Sequence, residues 1–239
     1  MKATTINFTD VGVEDIYLLG DIHGNLQYVK YKINTLDLHD CLIIICGDVG
    51  LGFSPKSELS QIQFLNKKIL KPRNVYVVAV RGNHDDPSLF VDTTIKTHWI
   101  NVCDYTVLQV QETNILCIGG ATSIDRTWRM QNKIGYWPEE KVQYCPPVDI
   151  PIHVICSHTA PAFCYPLTHD VTVQMFAQDD WTLIEELDEE RRLMNTIYED
   201  YKDTLTHWYY GHFHDPHIEY VDNKKFTLLG IEQLAQHYG

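Results

Sequence analysis

The sequence predicts an α/β fold of sandwich type, with mixed β-sheets faced by helices. Three observations predict it. Short apolar runs recur along the chain, and most end in a cluster of Gly, Asp, Asn or His. Between the first of these runs, apolar residues fall at helical spacing. Further along, two alternating runs read as an antiparallel pair. Strands alternating with helices argue for βαβ units.

The elements follow in order. Residues 16–20 (IYLLG) read as a strand that runs into DIHGN. Residues 25–37 carry Leu26, Val29, Ile33 and Leu36 on one helical face. Residues 41–46 and 75–80 read as buried strands, followed by GDVGLG and RGNHDD. Short β-rich runs bounded by Gly are the signature of such strands. Between them, Leu59, Ile62, Leu65 and Ile69 predict a helix over 57–70. Asp86 or Ser88 is a candidate cap for a short turn before Phe90.

Residues 105–111 alternate as a half-buried strand, with 114–120 as its antiparallel partner. The stretch 121–149 is rich in Trp, Tyr and Arg, and Pro138 with Glu139 and Glu140 suits a helix start. Residues 152–157 give another strand, ending in HTAP. An acidic helix is expected over about 180–202, with Leu183, Ile184, Leu187, Met194, Ile197, Tyr198 and Tyr201 on its apolar face. A strand ending in GHFH and hairpin-like runs near 217–230 complete the chain. No repeat, linker or boundary stands out, so residues 1–239 are expected to form one domain.

Composition narrows the classes. With 44% hydrophobic and 21% charged residues, the chain can supply a core and does not read as disordered. Its formal charge is −13, from 19 basic and 32 acidic residues, and there is no basic stripe. That argues against a nucleic-acid partner. It does not exclude a small anionic substrate, because two divalent cations would add roughly +4 locally. Seven cysteines without zinc-finger spacing, no signal-peptide stretch and no membrane-length apolar run lead us to expect a reduced, cytoplasmic protein.

Five polar clusters follow five strand candidates: Asp21-x-His23, Asp48, Asn83-His84, His158 and His212-x-His214. Ligand sites in α/β folds gather beyond the carboxyl ends of strands, so the clusters can meet in one crevice. Carboxylate and amide oxygens mixed with imidazole nitrogens suit Mn, Fe, Zn or Co better than Ca or Mg. The glycines around them permit sharp turns and close backbone approach. Chance turn chemistry explains any one cluster, but poorly explains all five together.

In this order, GDIHGN, GDVG, RGNHD, SHTAP and GHFH resemble the five signature blocks of the calcineurin-like metallophosphoesterases, and GGATSIDR resembles a block of their small stand-alone phosphatase/phosphoesterase branch. The blocks run from residue 20 to residue 214. The resemblance implies a four-layer α/β/β/α sandwich with two mixed β-sheets flanked by helices. It implies one metal held by Asp21, His23, Asp48 and His214. A second is held by Asp48, Asn83, His158 and His212, with Asp48 bridging. His84 matches the family's catalytic His, a proton donor to the leaving oxygen. A water activated by the two metals would attack phosphorus in line.

The second block departs from the protein-phosphatase pattern GDxxDRG, since Leu51 and Gly52 stand where its Asp and Arg would be. A protein-phosphatase role is therefore disfavoured, and His84 lacks its usual orienting Asp. Asp85 and Asp86 are the candidates to replace it. Arg126 and Arg129, in SIDRTWR, are candidates to grip phosphate, with Arg81 weaker. Trp128, Tyr136 and Trp137 read as loop packing, or alternatively as a base-stacking platform. His169 and Asp170 are placed to border a substrate, and the remaining histidines read as structural.

The expected activity is hydrolysis of a small phosphomonoester, a nucleotide or a dinucleoside polyphosphate. A phosphodiesterase of the same fold is the nearer alternative. A catalytically silent binding scaffold is the alternative of a different class. Such a scaffold would be expected to lose ligands or His84, and every one of those positions is filled.

Overall fold

The computed structural model describes residues 4–238. In chain order, β1 is Thr5–Asn7, β2 Asp15–Leu19, α1 Leu26–Thr35 and β3 Cys41–Cys46. Next come α2 Pro55–Leu65, β4 Val75–Val80, β5 Trp99–Asn101, β6 Thr106–Val110 and β7 Thr113–Ile118. Then follow α3 Arg126–Asn132, β8 Val154–Ser157, α4 Val171–Phe176 and α5 Leu183–Tyr201. The last strands are β9 His207–Tyr210, β10 His217–Val221, β11 Lys224–Leu228 and β12 Leu234–His237.

The strands form two mixed sheets. One has five strands in the order β12-β2-β3-β4-β5, all parallel except β12. The other has seven, in the order β1-β6-β7-β8-β9-β11-β10. Its central pairs β7–β8 and β8–β9 are parallel, while β6–β7 and β10–β11 are antiparallel.

The two-residue period of each strand sorts its side chains into layers. Leu42, Ile44 and Cys46 of β3, with Tyr76, Val78 and Val80 of β4, enter the core between the sheets. There they join Leu108, Ile115, Val154, Cys156 and Tyr209 from the seven-stranded sheet. Ile43 and Ile45 point the other way and pack with Leu26, Val29 and Ile33 of α1 and Leu65 of α2. On the outer face of the other sheet, Leu116, Ile155, Trp208 and Tyr210 pack with Met194, Ile197, Tyr198 and Tyr201 of α5. Because β3 and β4 are covered on both faces, they read as unbroken apolar runs. The layers are therefore helix, sheet, sheet, helix, as the resemblance implied.

Differences from expectation are local. The helix expected over 57–70 is α2 followed by one π-helical turn at Asn66–Leu70. The helix start at Pro138 is a single 3₁₀ turn that buries Glu140. Of the two candidate caps, Asp86 does the work, accepting from the Ser88 amide at 2.9 Å. β1, β5 and β12 and the short helices α3 and α4 have no counterpart in the periodicity; each spans seven residues or fewer.

Ile44 is fully buried between the sheets. Ile44→Ala is expected to lower the unfolding free energy by about 2–5 kcal/mol. A urea titration checks this, with the midpoint moving and the slope unchanged.

Candidate metal centre and active site

The functional side chains leave the carboxyl ends of parallel strands. β2 delivers Asp21 and His23, β3 delivers Asp48, and β4 delivers Asn83 and His84. From the second sheet, β8 delivers His158 and β9 delivers His212 and His214. The five predicted clusters thus meet at one end of the sandwich, where the two sheets abut.

Asp21, His23, Asp48 and His214 offer ligand atoms that all lie within 4.8 Å of one another, a group that could hold a metal ion. His214 Nε2 is 2.9 Å from Asp21 Oδ2 and 3.1 Å from His23 Nε2. A second set adjoins it through Asp48. His158 Nε2 lies 3.2 Å from Asp48 Oδ1 and 2.9 Å from Asn83 Oδ1. The His212 ring stacks edge-on against that of His158, with centroids 4.9 Å apart. Asp21, Asp48, Asn83 and His158 are buried, and uncompensated carboxylates are costly there. Oxygen and imidazole donors converging here, with His23 and His214 on the open side, fit one or two transition-type cations.

The electrostatics show how strongly the buried carboxylates draw positive charge into the cluster. Burial disfavours a charged ring at His158, but the Asp48 and Asp21 carboxylates outweigh it and hold its pKa up to about 10. Burial likewise opposes a charged Asp48, yet His158, His84 and His23 hold its carboxyl far below the usual range. Burial pushes His212 well below the ordinary imidazole value, so its ring is neutral and its lone pair free. His158 Nδ1–H donates to the Cys46 carbonyl at 2.8 Å, so a cation taking the place of the Nε2 proton would meet that nitrogen beside Asp48 and Asn83.

The backbone is shaped around these groups. His23, Asp48, His212 and His214 all have positive φ, between 43° and 70°. Side-chain-bearing residues adopt that region at a cost of about 1 kcal/mol or more each. Two glycines allow the carboxylates to approach. A Cβ on Gly82 would meet Asp48 Oδ1 at 2.1 Å, and one on Gly211 would meet Asp21 Oδ1 at 2.2 Å.

Three residues that support the site were not singled out as such in the sequence. Asp85 is fully buried and accepts from the amides of Val49, Gly50, Leu51 and Gly82 at 2.8–3.1 Å. It therefore clamps the β3 loop to the β4 loop. Burial and the charge on Asp48 push its pKa up to about 7, against the pull of the backbone amides. Ser123 accepts from Asn83 Nδ2 at 2.9 Å and donates to buried Glu140 at 2.7 Å. The chain Glu140–Ser123–Asn83 turns the Asn83 amide so that its oxygen faces His158.

Neither candidate for orienting His84 does so: Asp85 holds backbone amides, and Asp86 caps its own turn. The partner is Arg129, whose Nη2 lies 2.5 Å from His84 Nδ1. Arg129 is itself fixed by Asp125 at 2.7 Å and by the Gly135 carbonyl at 3.0 Å. Burial, and then Arg129 against the opposing pull of Asp48, lower the His84 pKa. Arg126, in contrast, is turned away from the cluster, paired with Asp180 at 2.6 Å and with Glu186. Arg81 is spent on Asp104 and the carbonyls of 139–141. Trp137 packs edge-on against Phe53, and Trp128 is half exposed.

A cavity of about 470 Å³ opens over the cluster. Asp48, Asn83, His84, His212 and His214 lie on its floor, and residues 159–176 form much of its wall, His169 and Asp170 included. Its size suits a small organic ligand.

The sequence profile of the calcineurin-like phosphoesterases matches residues 15–216, a span holding all eight clustered residues. The chain belongs to the calcineurin-like phosphoesterase family. Among solved structures, a candidate 5'-nucleotidase from Staphylococcus aureus is 14% identical, with 93% of this chain and 50% of that one covered, at a TM-score of 0.50. That likeness is one of fold. A phosphopantetheinyl hydrolase from Mycobacterium tuberculosis is also 14% identical, covering 97% of this chain and 92% of that one, at a TM-score of 0.39. A conserved Streptococcus pneumoniae protein described as a predicted phosphoesterase is 12% identical, covering 91% and 72%, at 0.39. No curated protein sequence matches the chain at a significant level. No helix among the described residues is long and apolar enough to cross a membrane.

Two substitutions test this arrangement. Gly82→Ala is expected to abolish Mn²⁺ binding in calorimetry, because its methyl group collides with Asp48. Ser123→Ala is expected to weaken Mn²⁺ binding by about 10-fold or more, the usual range for removing a residue that orients a ligand. Unchanged affinity in both would contradict the arrangement.

Proposed function

We propose that the chain is a dinuclear metal-dependent hydrolase of small phosphomonoesters. The observation that carries this reading is the convergence of Asp21, Asp48, Asn83 and four imidazoles beside one cavity. Asp21, His23, Asp48 and His214 would hold one cation. Asn83, His158 and His212 would hold the other, and Asp48 would touch both. When bound, such a pair supplies a nucleophile at neutral pH and offsets charge on the phosphoryl oxygens.

The chain's own groups do the rest. His84 lies at the edge of the cluster, with Nε2 3.9 Å from Asp48 Oδ2. From there it donates a proton to the departing alcohol oxygen. A lowered pKa makes the protonated ring a stronger acid, at the expense of its population near neutrality. Arg129 donates to Nδ1 of the neutral His84 ring, and once that ring is protonated the Arg129 guanidinium would turn to a phosphoryl oxygen. Asp125 keeps that guanidinium from swinging away. Family membership, the converging donor set and the cavity above it support this reading together.

The Mn²⁺-loaded protein is expected to hydrolyse 4-nitrophenyl phosphate faster than bis(4-nitrophenyl) phosphate, and chelator is expected to stop both reactions. The reverse preference would make the chain a diesterase. Asp48→Asn is expected to lose turnover together with metal. His84→Ala is expected to keep its metal and lose about 10²-fold or more in kcat, with the larger loss on an alkyl phosphate. Equal losses on alkyl and nitrophenyl esters would remove the acid role.

A further inference from the structure

The wall of the cavity differs in chemistry from its floor. Ile124, Leu167, Val173, Phe176 and Leu187 give it a broad apolar surface. Its charged groups are mostly acidic: Asp125, Asp170, Asp188 and Glu190. Among the described residues that line it there is no lysine, and the only guanidinium is that of Arg191.

Arg191 has four of its five N–H groups engaged by backbone carbonyls. Its Nε and Nη2 donate to the Pro161 carbonyl at 3.2 and 2.7 Å, Nη2 also to Cys164 at 2.7 Å, and Nη1 to Pro166 at 3.2 Å. Its guanidinium also lies over the Phe213 ring, 4.9 Å from the centroid. Here the arginine holds the 161–166 loop in place. His169 is paired with Asp188 at 2.9 Å, and Arg129, which contacts His84 without lining the cavity, is paired with Asp125. A phosphoryl group on the floor meets His84 and the proposed cations. A second phosphoryl group higher up would meet mainly carboxylates, with no lysine and no arginine free of other partners among the described lining residues. Charged oxygens placed there without partners are disfavoured.

We propose that the substrate carries one phosphoryl group on a largely apolar body that is uncharged or bears an amine, and that the wall rejects polyphosphorylated molecules. This rests on the phosphoesterase reading for the floor, and it narrows the expected substrates by removing dinucleoside polyphosphates. The aspartates Asp170 and Asp188 lie where an ammonium group on such a body would find acceptors. The apolar residues of the wall would contact its carbon chain.

Calorimetry on the Mn²⁺-loaded protein tests the inference without turnover, because phosphonates bind but are not hydrolysed. The probes are hexylphosphonate, 6-aminohexylphosphonate and hexane-1,6-bisphosphonate. The amine is expected to bind at least as tightly as hexylphosphonate, and the bisphosphonate about 10-fold or more weaker. Asp188→Lys, at an exposed position, is expected to narrow or reverse that gap. A bisphosphonate that binds wild type as tightly as hexylphosphonate, or no binding by any of the three, overturns the inference. Parallel turnover of 4-nitrophenyl phosphate separates the two claims. Turnover with the wrong phosphonate order sinks only the substrate class. The right order without turnover upholds the substrate class and sinks only the catalytic reading.

Discussion

The buried carboxylate of Asp48 joins the parts of the site. Its Oδ1 accepts from the His84 amide at 2.8 Å and lies 3.2 Å from His158 Nε2, while Oδ2 is 3.9 Å from His23 Nδ1. One side chain therefore touches groups carried by β2, β4 and β8, and spans both sheets. Negative charge buried this deeply is tolerable only with cationic or N–H partners close by. The histidines and the left-handed turns around Asp48 are the local means of supplying them.

That demand explains features that are unfavourable one at a time. Four residues of the cluster carry positive φ, and a second carboxylate, Asp85, is buried close to Asp48. Such strain persists only where surrounding structure over-determines it. Here Asp85 ties four backbone amides from two loops, while Gly82 and Gly211 leave space at Asp48 and Asp21. On either side, the apolar layers of β3 and β4 and of β8 and β9 keep the strand ends in register. Rigidity at the floor contrasts with the wall, where α4 buries none of its side chains.

Much of this was legible in the sequence because the relevant signals are local. A buried parallel strand is an unbroken apolar run, and its functional residues come directly after it, as with LIIIC before Gly47-Asp48. Side-chain pairings across the fold were not legible. Arg126 and Arg129 are three residues apart on α3, yet one meets Asp180 and Glu186 while the other meets His84. Spacing alone cannot decide which face of a seven-residue helix turns towards a site. The role of Asp85 was hidden for a related reason. Adjacency to His84 suggested that it would orient the ring, but its neighbours in space are the amides of residues 49–51. β1, β5 and β12 were missed because three or four residues carry too little periodicity to stand out.

The claim on which the account turns is that one carboxylate is shared between two cations. Anomalous diffraction at the manganese edge, from crystals grown with Mn²⁺, measures this directly. The account predicts two peaks per chain about 3.5–4 Å apart, as in other two-metal sites, with Asp48 in contact with both. A single peak, or two peaks of which Asp48 touches only one, would contradict it.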